Sequence, residues 1–383
     1  LHNRKHSFPT RRSSDLPEDE DSPEGASEVV AHENGRLYVT NGNLDRIDVF
    51  DIAAGEQSGT LELGGIEGFD GVQSVAVANG IVAAAVEIEA EETDDGLVPQ
   101  NGVVAFFDAD SGDLLDTVEV GVLPDAVAFS PDGSKLVVTN EGEFNSESLL
   151  EDNVIVDAPG TVSVIDITDN GDGTVSFAET SRFGPGDVEG IADIIAEAGL
   201  RIDPGLDAVL QHEPEFATIN EAGTTAYVSY QENNWLASYS LATGEITGLV
   251  NAGTVDYSIE GADFADDETI DISPAPVKGL RQPDAIKAFS VNGQTYIATA
   301  NEGDGRGDAF EFDDEDNVIG VIPEGDEARV SEVLAAAEAD FHPGFDESVD
   351  TTGLERLIIS TVDGDTDGDG DIDEITTFGG RSF

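Results

Sequence analysis

The sequence predicts an all-β chain, a β-propeller interrupted by short helical insertions, on three observations. A strand–tight turn–strand unit stands at Leu123–Glu143 (LPDAVAFSPDGSKLVVTNEGE) and recurs from Glu213 (EPEFATINEAGTTAYVSYQEN) and Gln282 (QPDAIKAFSVNGQTYIATANEG), with weaker copies from Ala26 and Val72. Most copies run on into further strand-like segments, giving four strands every ~40–50 residues before insertions, the spacing of a propeller blade. The separating turns carry hairpin chemistry, Asn-Gly and Asp-Gly pairs among them.

Ser27–Leu63 supplies EVVAHE, RLYVTN, RIDVFDIA and SGTLEL, a four-stranded antiparallel meander. Val72–Val120 repeats it with QSVAVA, IVAAAVEIE, GVVAFFDA and LLDTVEV, broken by an acidic loop at Glu91–Pro99. The third unit, Pro124–Thr180, reads DAVAFS, KLVVTNE, GTVSVIDI and TVSFAET, with a loop at Phe144–Ala158. Within Arg182–Gln211, Ile191, Ile194, Ile195 and Ala198 fall at i, i+3, i+4 and i+7 and predict a short amphipathic helix. Glu213–Val250 resumes with EFATINE, TAYVSYQE, WLASYSL and EITGLV. Asn251–Leu280 reads as an irregular insertion, and Pro283–Ala300 opens a fifth unit. Val330, Val333, Leu334 and Ala337 predict another inserted helix; Leu357–Ser360 and Glu374–Phe378 are strand-like. A YVTN/WD40-like ring of seven or eight blades needs more units than these, so the expectation is a partial propeller over residues 27–383, truncated at its C-terminus. A β-sandwich array is the alternative; the repeated inner-strand pattern argues against it.

The chain has 383 residues, 82 acidic against 16 basic, for a formal net charge of −66. Such a field repels nucleic acid and anionic lipid and favours cations. The acids are spread along the whole chain, as on the solvated surface of a halophile's protein. The expectation is unfolding below roughly 0.5 M salt, where the screening length grows; a cooperative melt unchanged by salt refutes it. There is no cysteine, which excludes disulfides and thiolate metal sites. No run of about 18 apolar residues offers a transmembrane segment. Residues 1–16, LHNRKHSFPTRRSSDL, are basic, and Ser7–Leu16 resembles the translation of a common sequencing-library adapter. They are set apart from the fold, and residues 17–26 are expected to form an acidic disordered linker.

Two acidic motifs carry chemistry. Pairing Ser130 with Lys135 in the third-unit hairpin brings Asp125 beside Asn140 and Glu141. Glu215/Glu232 and Asp284/Glu302 hold similar positions in the next two units. If these hairpins are the inner strands, six carboxylates gather at one mouth of the central channel. Like charges at that density raise one another's pKa unless a cation or solvent intervenes, and hard oxygen ligands suit Ca2+ or Mg2+. Solvated acids of an acidic protein are the other reading. The second motif, Asp363–Glu374 (DGDTDGDGDIDE), fits the calcium-loop spacing D-x-D-x-D-G-x5-E with Asp363, Asp365, Asp367, Asp369, Asp371 and Glu374 at ligand positions and Gly368 at the turn. A frame shifted by two residues, Asp365 through Asp373 with Ile372 at the eighth position, fits as well. No long helix pair flanks the motif, so it reads as a structural loop. Asp169–Thr174 reads as a hairpin turn, His212 as a lone surface histidine in preference to a metal ligand or catalytic base, Trp235 as core or groove wall, and Arg306 as a candidate anion contact. No G-x-S-x-G, H-E-x-x-H or P-loop is present.

At these residues the chain resembles the choice-of-anchor I family of secreted and cell-surface β-propellers. The resemblance lies in LPDAVAFSPDGSKLVVTNEGE, HEPEFATINEAGTTAYVSYQENN, GLRQPDAIKAF with TYIATANEGDGRGD, and STVDGDTDGDGDIDEITTFGGRSF, and covers Ala26–Phe383. It implies a propeller, export, and attachment to the envelope through a variable C-terminal sorting signal beyond GGRSF. Some relatives are labelled alkaline-phosphatase-like or compared with mesenchyme-specific cell-surface glycoproteins; no catalytic residue set comes with that label. NEGDGRGD departs from the NEGDARD-like form of the family. Two functions are therefore expected. The first is an extracellular or cell-surface, calcium-stabilised binding module whose partner is an unidentified ligand or envelope component. The alternative is a metal-dependent phosphoesterase at the channel mouth, whose metal would polarise a phosphoryl oxygen and generate hydroxide. No nucleophile or arginine cluster is visible for it.

Overall fold

Short runs of valine, isoleucine and alanine, cut by Asn-Gly and Asp-Gly turns, fold as successive antiparallel hairpins. The computed structural model describes residues 27, 29–93, 96–142, 157–203, 205–264, 269–313, 315, 317–323 and 325–383. The adapter-like stretch 1–16, the linker 17–26 and most of the Phe144–Ala158 loop lie outside the described residues.

The first sheet runs β1 (Val30–Glu33), β2 (Arg36–Asn41), β3 (Arg46–Asp51), β4 (Glu56–Glu62) in chain order. The second begins with β5 (Phe69–Ala78) and β6 (Ile81–Ile88). Its acidic loop, expected to be irregular, contains a small ribbon of β7 (Glu91–Thr93) and β8 (Gly96–Val98). The sheet then closes with β9 (Asn101–Asp108) and β10 (Leu114–Val122). The third is β11 (Pro124–Phe129), β12 (Lys135–Asn140), β13 (Thr161–Asp169) and β14 (Val175–Phe183), with Asp169–Thr174 as its last turn. The fourth is β15 (Ala217–Ile219), β16 (Thr225–Tyr230), β17 (Trp235–Ser240) and β18 (Ile246–Asn251).

A hydrophobic core lies between each adjacent pair of these sheets, and Trp235, fully buried, stacks on Tyr230 at 4.0 Å in the last of them. Their first strands pack side by side, β1 on β5, β5 on β11 and β11 on β15. They surround a central cavity of about 720 Å³ lined by Ala31, Val75, Val127, Phe216 and Ile286. Radial stacking about a common inner-strand axis is a propeller arrangement and excludes a sandwich array.

The fifth unit opens as expected with β21 (Pro283–Val291), packed on β15, and β22 (Gln294–Asn301). The chain then diverts. Asn251–Leu280, expected to be irregular, gives β19 (Thr254–Asp256) and β20 (Val277–Leu280). After a ribbon of β23 (Phe310–Phe312) and β24 (Val318–Val321), the later segments give β25 (Glu327–Arg329), β26 (Ile358–Ser360) and β27 (Ile375–Thr377). These five join in the order β19-β20-β27-β26-β25, with β20 and β27 parallel. The two insertions thus complete one another in a separate mixed sheet with its own core.

Both predicted helices form, with narrower buried faces than expected. In α1 (Ile191–Glu197), Ile191 and Ile195 reach the Trp235 core, whereas Ile194 and Ala198 are exposed. Two turns of helix leave room for one i, i+4 stripe. In α2 (Val330–Glu338) the buried stripe is Val330, Val333 and Ala336; Leu334 is exposed and Ala337 half-buried.

Candidate functional site

The site starts from a backbone irregularity. β11 pairs Val127 with Val138 but Pro124 with Asn140, so an extra residue bulges at Asp125–Ala126. Leu123, just before it, sits at φ 48° and its carbonyl accepts the Glu141 N–H at 2.9 Å. β21 repeats the construction: Ile286 pairs with Thr299 and Pro283 with Asn301, Gln282 has φ 47°, and the Glu302 N–H reaches the Gln282 carbonyl at 3.1 Å. Bulges of this kind bend the strand and re-aim a side chain at a strand end. A second device links blades. The Thr139 hydroxyl donates to the Glu215 carbonyl at 2.7 Å, and the Ser229 hydroxyl to the Asp284 carbonyl at 2.9 Å.

Together these features bring Asp125, Glu141 and Glu215 into one group, with a carboxylate oxygen from each lying within 4.8 Å of the others. Glu141 is 5% and Glu215 9% exposed. Burial first, then the charges of Glu141, Glu232 and Asp125, push the Glu215 carboxyl well above its ordinary range.

Three of the six expected mouth carboxylates form this group. Among the described residues, no group of three metal-ligand atoms includes Glu232, Asp284 or Glu302. The fourth hairpin explains Glu232. Ala217 pairs with Val228 as Val127 pairs with Val138, so Gln231, not Glu232, takes the place of Glu141. Gln231 donates to the Glu302 carbonyl at 3.0 Å. Glu232 lies one residue on and keeps company with Glu213, Asp304 and Arg306.

Around Glu232 lies a buried ionic network that the sequence did not reveal. Arg306, expected to contact an anionic ligand, instead donates to Glu213 Oε1 at 2.9 Å and to the Gln211 carbonyl. Arg201 donates to Asp326, to Asp363 Oδ2 at 2.7 Å and to the Glu232 carbonyl at 2.6 Å. His212, expected at the surface, is fully buried with its ring 5.5 Å from Trp235. Burial lowers its pKa to about 4, against a smaller raising effect of Asn233. The scarcity of basic residues is the available signal: an arginine folded inside so acidic a chain is held by the carboxylates it neutralises.

The DGDTDGDGDIDE loop divides. Asp363, first in one register, is tied to Arg201 and accepts the Ser360 hydroxyl at 2.7 Å; Glu374, last in that register, pairs with Lys278. Ligand atoms of Asp365, Asp367 and Asp373 lie within 4.8 Å of one another, as do those of Asp346, Asp371 and Asp373. Asp365 accepts the N–H groups of Gly368 and Gly370 at 2.6 and 3.0 Å, and the Asp371 N–H donates to Asp369 Oδ1 at 3.2 Å. Ile372 is buried and bridges to Phe345. Of these residues, Asp373 is a ligand position only in the frame shifted by two residues.

The family model described as the choice-of-anchor I domain matches residues 28–383. The chain belongs to the choice-of-anchor I family. Members of this family carry a domain that fits a cell-surface protein, and among the described residues no helix is long and apolar enough to cross a membrane. No curated protein matches. Among solved structures, the chain is similar to a complex of KlAtg21 with the coiled-coil of AgAtg16, at 12% identity and TM-score 0.36, covering 71% of this chain and 63% of that one. The Myceliophteria thermophila Cps50 (Swd1) β-propeller domain matches at 8% identity and TM-score 0.31, covering 59% of this chain and 74% of that one. The Dos1 propeller matches at 13% identity and TM-score 0.37, covering 59% and 47% respectively. The chain thus spans less than two thirds of the first of these, 63%.

Proposed function

We propose that this choice-of-anchor I propeller is a cell-surface binding module that takes its ligand through a divalent cation, Ca2+ foremost, held at the channel mouth by Asp125, Glu141 and Glu215. The observation that carries this reading is the convergence of three carboxylates within 4.8 Å, two of them buried. Their mutual repulsion is what a divalent cation relieves. The donors are all hard oxygens, the set Ca2+ and Mg2+ prefer. Ca2+ takes about 6–8 oxygens, so three carboxylates leave positions for water or for an oxygen-bearing ligand on an envelope component or extracellular molecule.

A second Ca2+, at Asp365, Asp367 and Asp373, would be structural, pinning the turn between β26 and β27. The dense acidic surface fits a halophile's protein kept soluble by solvated carboxylates. The phosphoesterase alternative is not taken up, because the buried guanidiniums of Arg201 and Arg306 are committed to Asp326, Asp363 and Glu213.

The test is calorimetric Ca2+ titration of the metal-depleted chain in molar salt. Asp125→Asn and Glu215→Gln should each remove the mouth equivalent and leave the loop equivalent, and Asp373→Asn should do the reverse. Unchanged stoichiometry and affinity in both mouth variants would overturn the reading.

A further inference from the structure

We infer that the channel mouth carries a second cation, bound to Glu232 beside the first. This inference extends the cation reading of the mouth. It rests on a different set of atoms.

Glu232 is 6% exposed, and its Oε2 is buried without a hydrogen-bond partner. One residue on, Asn233 is 1% exposed and its side chain faces His212, whose pKa it raises. Orphaned buried acceptors are rare in folded proteins, and an unseen ion or water is a standard cause. Burial, then the charges of Glu213 and Asp304, push the Glu232 carboxyl well above its ordinary range. A cation satisfies the oxygen directly.

The surroundings fit a cation. Glu213 and Asp304 both act on Glu232 as like charges, and Arg306 opposes them. That guanidinium is already engaged by Glu213 and the Gln211 carbonyl.

The backbone holds Glu232 in place. Its carbonyl accepts from Arg201, and the Asn234 N–H closes the turn onto the Gln231 carbonyl at 2.8 Å. Gln231 takes the Glu141 position in the register that the two hairpins share, so Glu232, one residue on, lies outside the triad and feels the charges of Glu213 and Asp304. The charge of Glu232 is felt at the triad, where it helps raise the Glu215 carboxyl. The ligand is a hard divalent cation, since the groups around Glu232 are carboxylates.

Mn2+ serves as the probe, because two Mn2+ ions held close together give a spin-coupled resonance signal. The full chain in molar salt, depleted of metal, is titrated with Mn2+ as wild type, Glu232→Gln, Glu215→Gln and the double variant. Each single variant should lose one equivalent and the coupled signal, and the double variant should lose two. Glu232→Asp, which keeps the charge but shortens the reach, should weaken one site by roughly ten- to a hundred-fold, provided its circular dichroism matches wild type. Wild-type stoichiometry in Glu232→Gln overturns this inference and assigns the orphaned oxygen to water, whatever Glu215→Gln does. Loss of an equivalent in Glu232→Gln with none in Glu215→Gln overturns the triad reading and leaves the Glu232 cation standing. An infrared band of a protonated carboxyl that disappears in Glu232→Gln and persists with Mn2+ bound also overturns the inference.

Discussion

Replacing Arg201 with methionine should destabilise the chain by about 3–5 kcal/mol, the cost of leaving a buried charge without its partner. The Arg201 side chain is 9% exposed and Asp326 only 1%. The substitution keeps the aliphatic stem and removes four bonds, to Asp326, Asp363, the Glu232 carbonyl and the Ser360 hydroxyl. Asp326 retains the Arg306 N–H at 2.8 Å, which places the expected loss towards the lower end of the range. The measurement is urea unfolding in molar salt, followed by midpoint and slope. Two comparisons sharpen it. Lys135→Met breaks the pair with Asp166, whose side chains are 31% and 41% exposed, and should cost less than about 1 kcal/mol. Arg201→Met combined with Asp326→Leu should regain most of the loss, since a buried pair exchanged for apolar groups is often neutral. A cost for Arg201→Met no larger than that for Lys135→Met would falsify the buried-network account. So would a cost that falls steeply between one and three molar salt, because buried pairs are poorly screened.

Burial, with Asp304, Asp326 and Asp308 nearby, pushes the Glu327 carboxyl up from 4.5 to about 8. The folded state then holds a proton that the unfolded state releases within that window. This contribution is complete below the lower value and fades as pH rises, by about 1.4 kcal/mol per pH unit; Glu327→Gln should flatten the slope of urea midpoint against pH. Gly160→Ala should cost about 1–3 kcal/mol by overpacking and weaken Ca2+ binding at the mouth, because its Cβ would meet the His212 carbonyl at 2.1 Å and the Glu141 carbonyl at 2.8 Å. Asp373→Asn should lower the melting temperature with Ca2+ present and match wild type in chelator; an equal loss in both conditions refutes a Ca2+ role for the loop.

What could be read from the sequence follows the distance over which each feature is encoded. The four complete sheets were legible because each hairpin is local, with β-branched runs and Asn-Gly or Asp-Gly turns. The Asp125–Glu141 pairing was legible for the same reason, as it is fixed by one short turn. The bulge was not deduced, although the matching Leu-Pro-Asp and Gln-Pro-Asp stretches adopt it in both blades. Glu232 lies one residue past the Glu141 place because the third and fourth hairpins share one register, an equivalence that the two stretches contain when laid side by side. The mixed sheet stayed hidden because it pairs strands far apart in the chain, β20 with β27. Local pattern carries no information on which partner a short apolar run will find. Arg201 and Asp363 stand 162 residues apart, with the same consequence.

The mouth is therefore a product of blade stacking, not of any one blade. Asp125 and Glu141 belong to the third sheet, but Glu215 enters from the fourth, and the Thr139 hydroxyl holds its backbone there. The Ser229 hydroxyl makes the equivalent link from the fourth sheet to the fifth. Arg306, beyond the fifth hairpin, reaches back to Gln211 and Glu213, just before the fourth. Arg201 fastens the stretch after α1 to the mixed sheet through Asp326 and to the start of the acidic loop through Asp363. A cation on Asp125, Glu141 and Glu215 would cross-link two blades, and one on Glu232 would draw in the segment that carries Asp304. Metal binding at this end and the relative placement of the blades are then one equilibrium. Any ligand that completes the cation's coordination also stabilises the stacking, which gives a surface binding module a direct link between occupancy and rigidity.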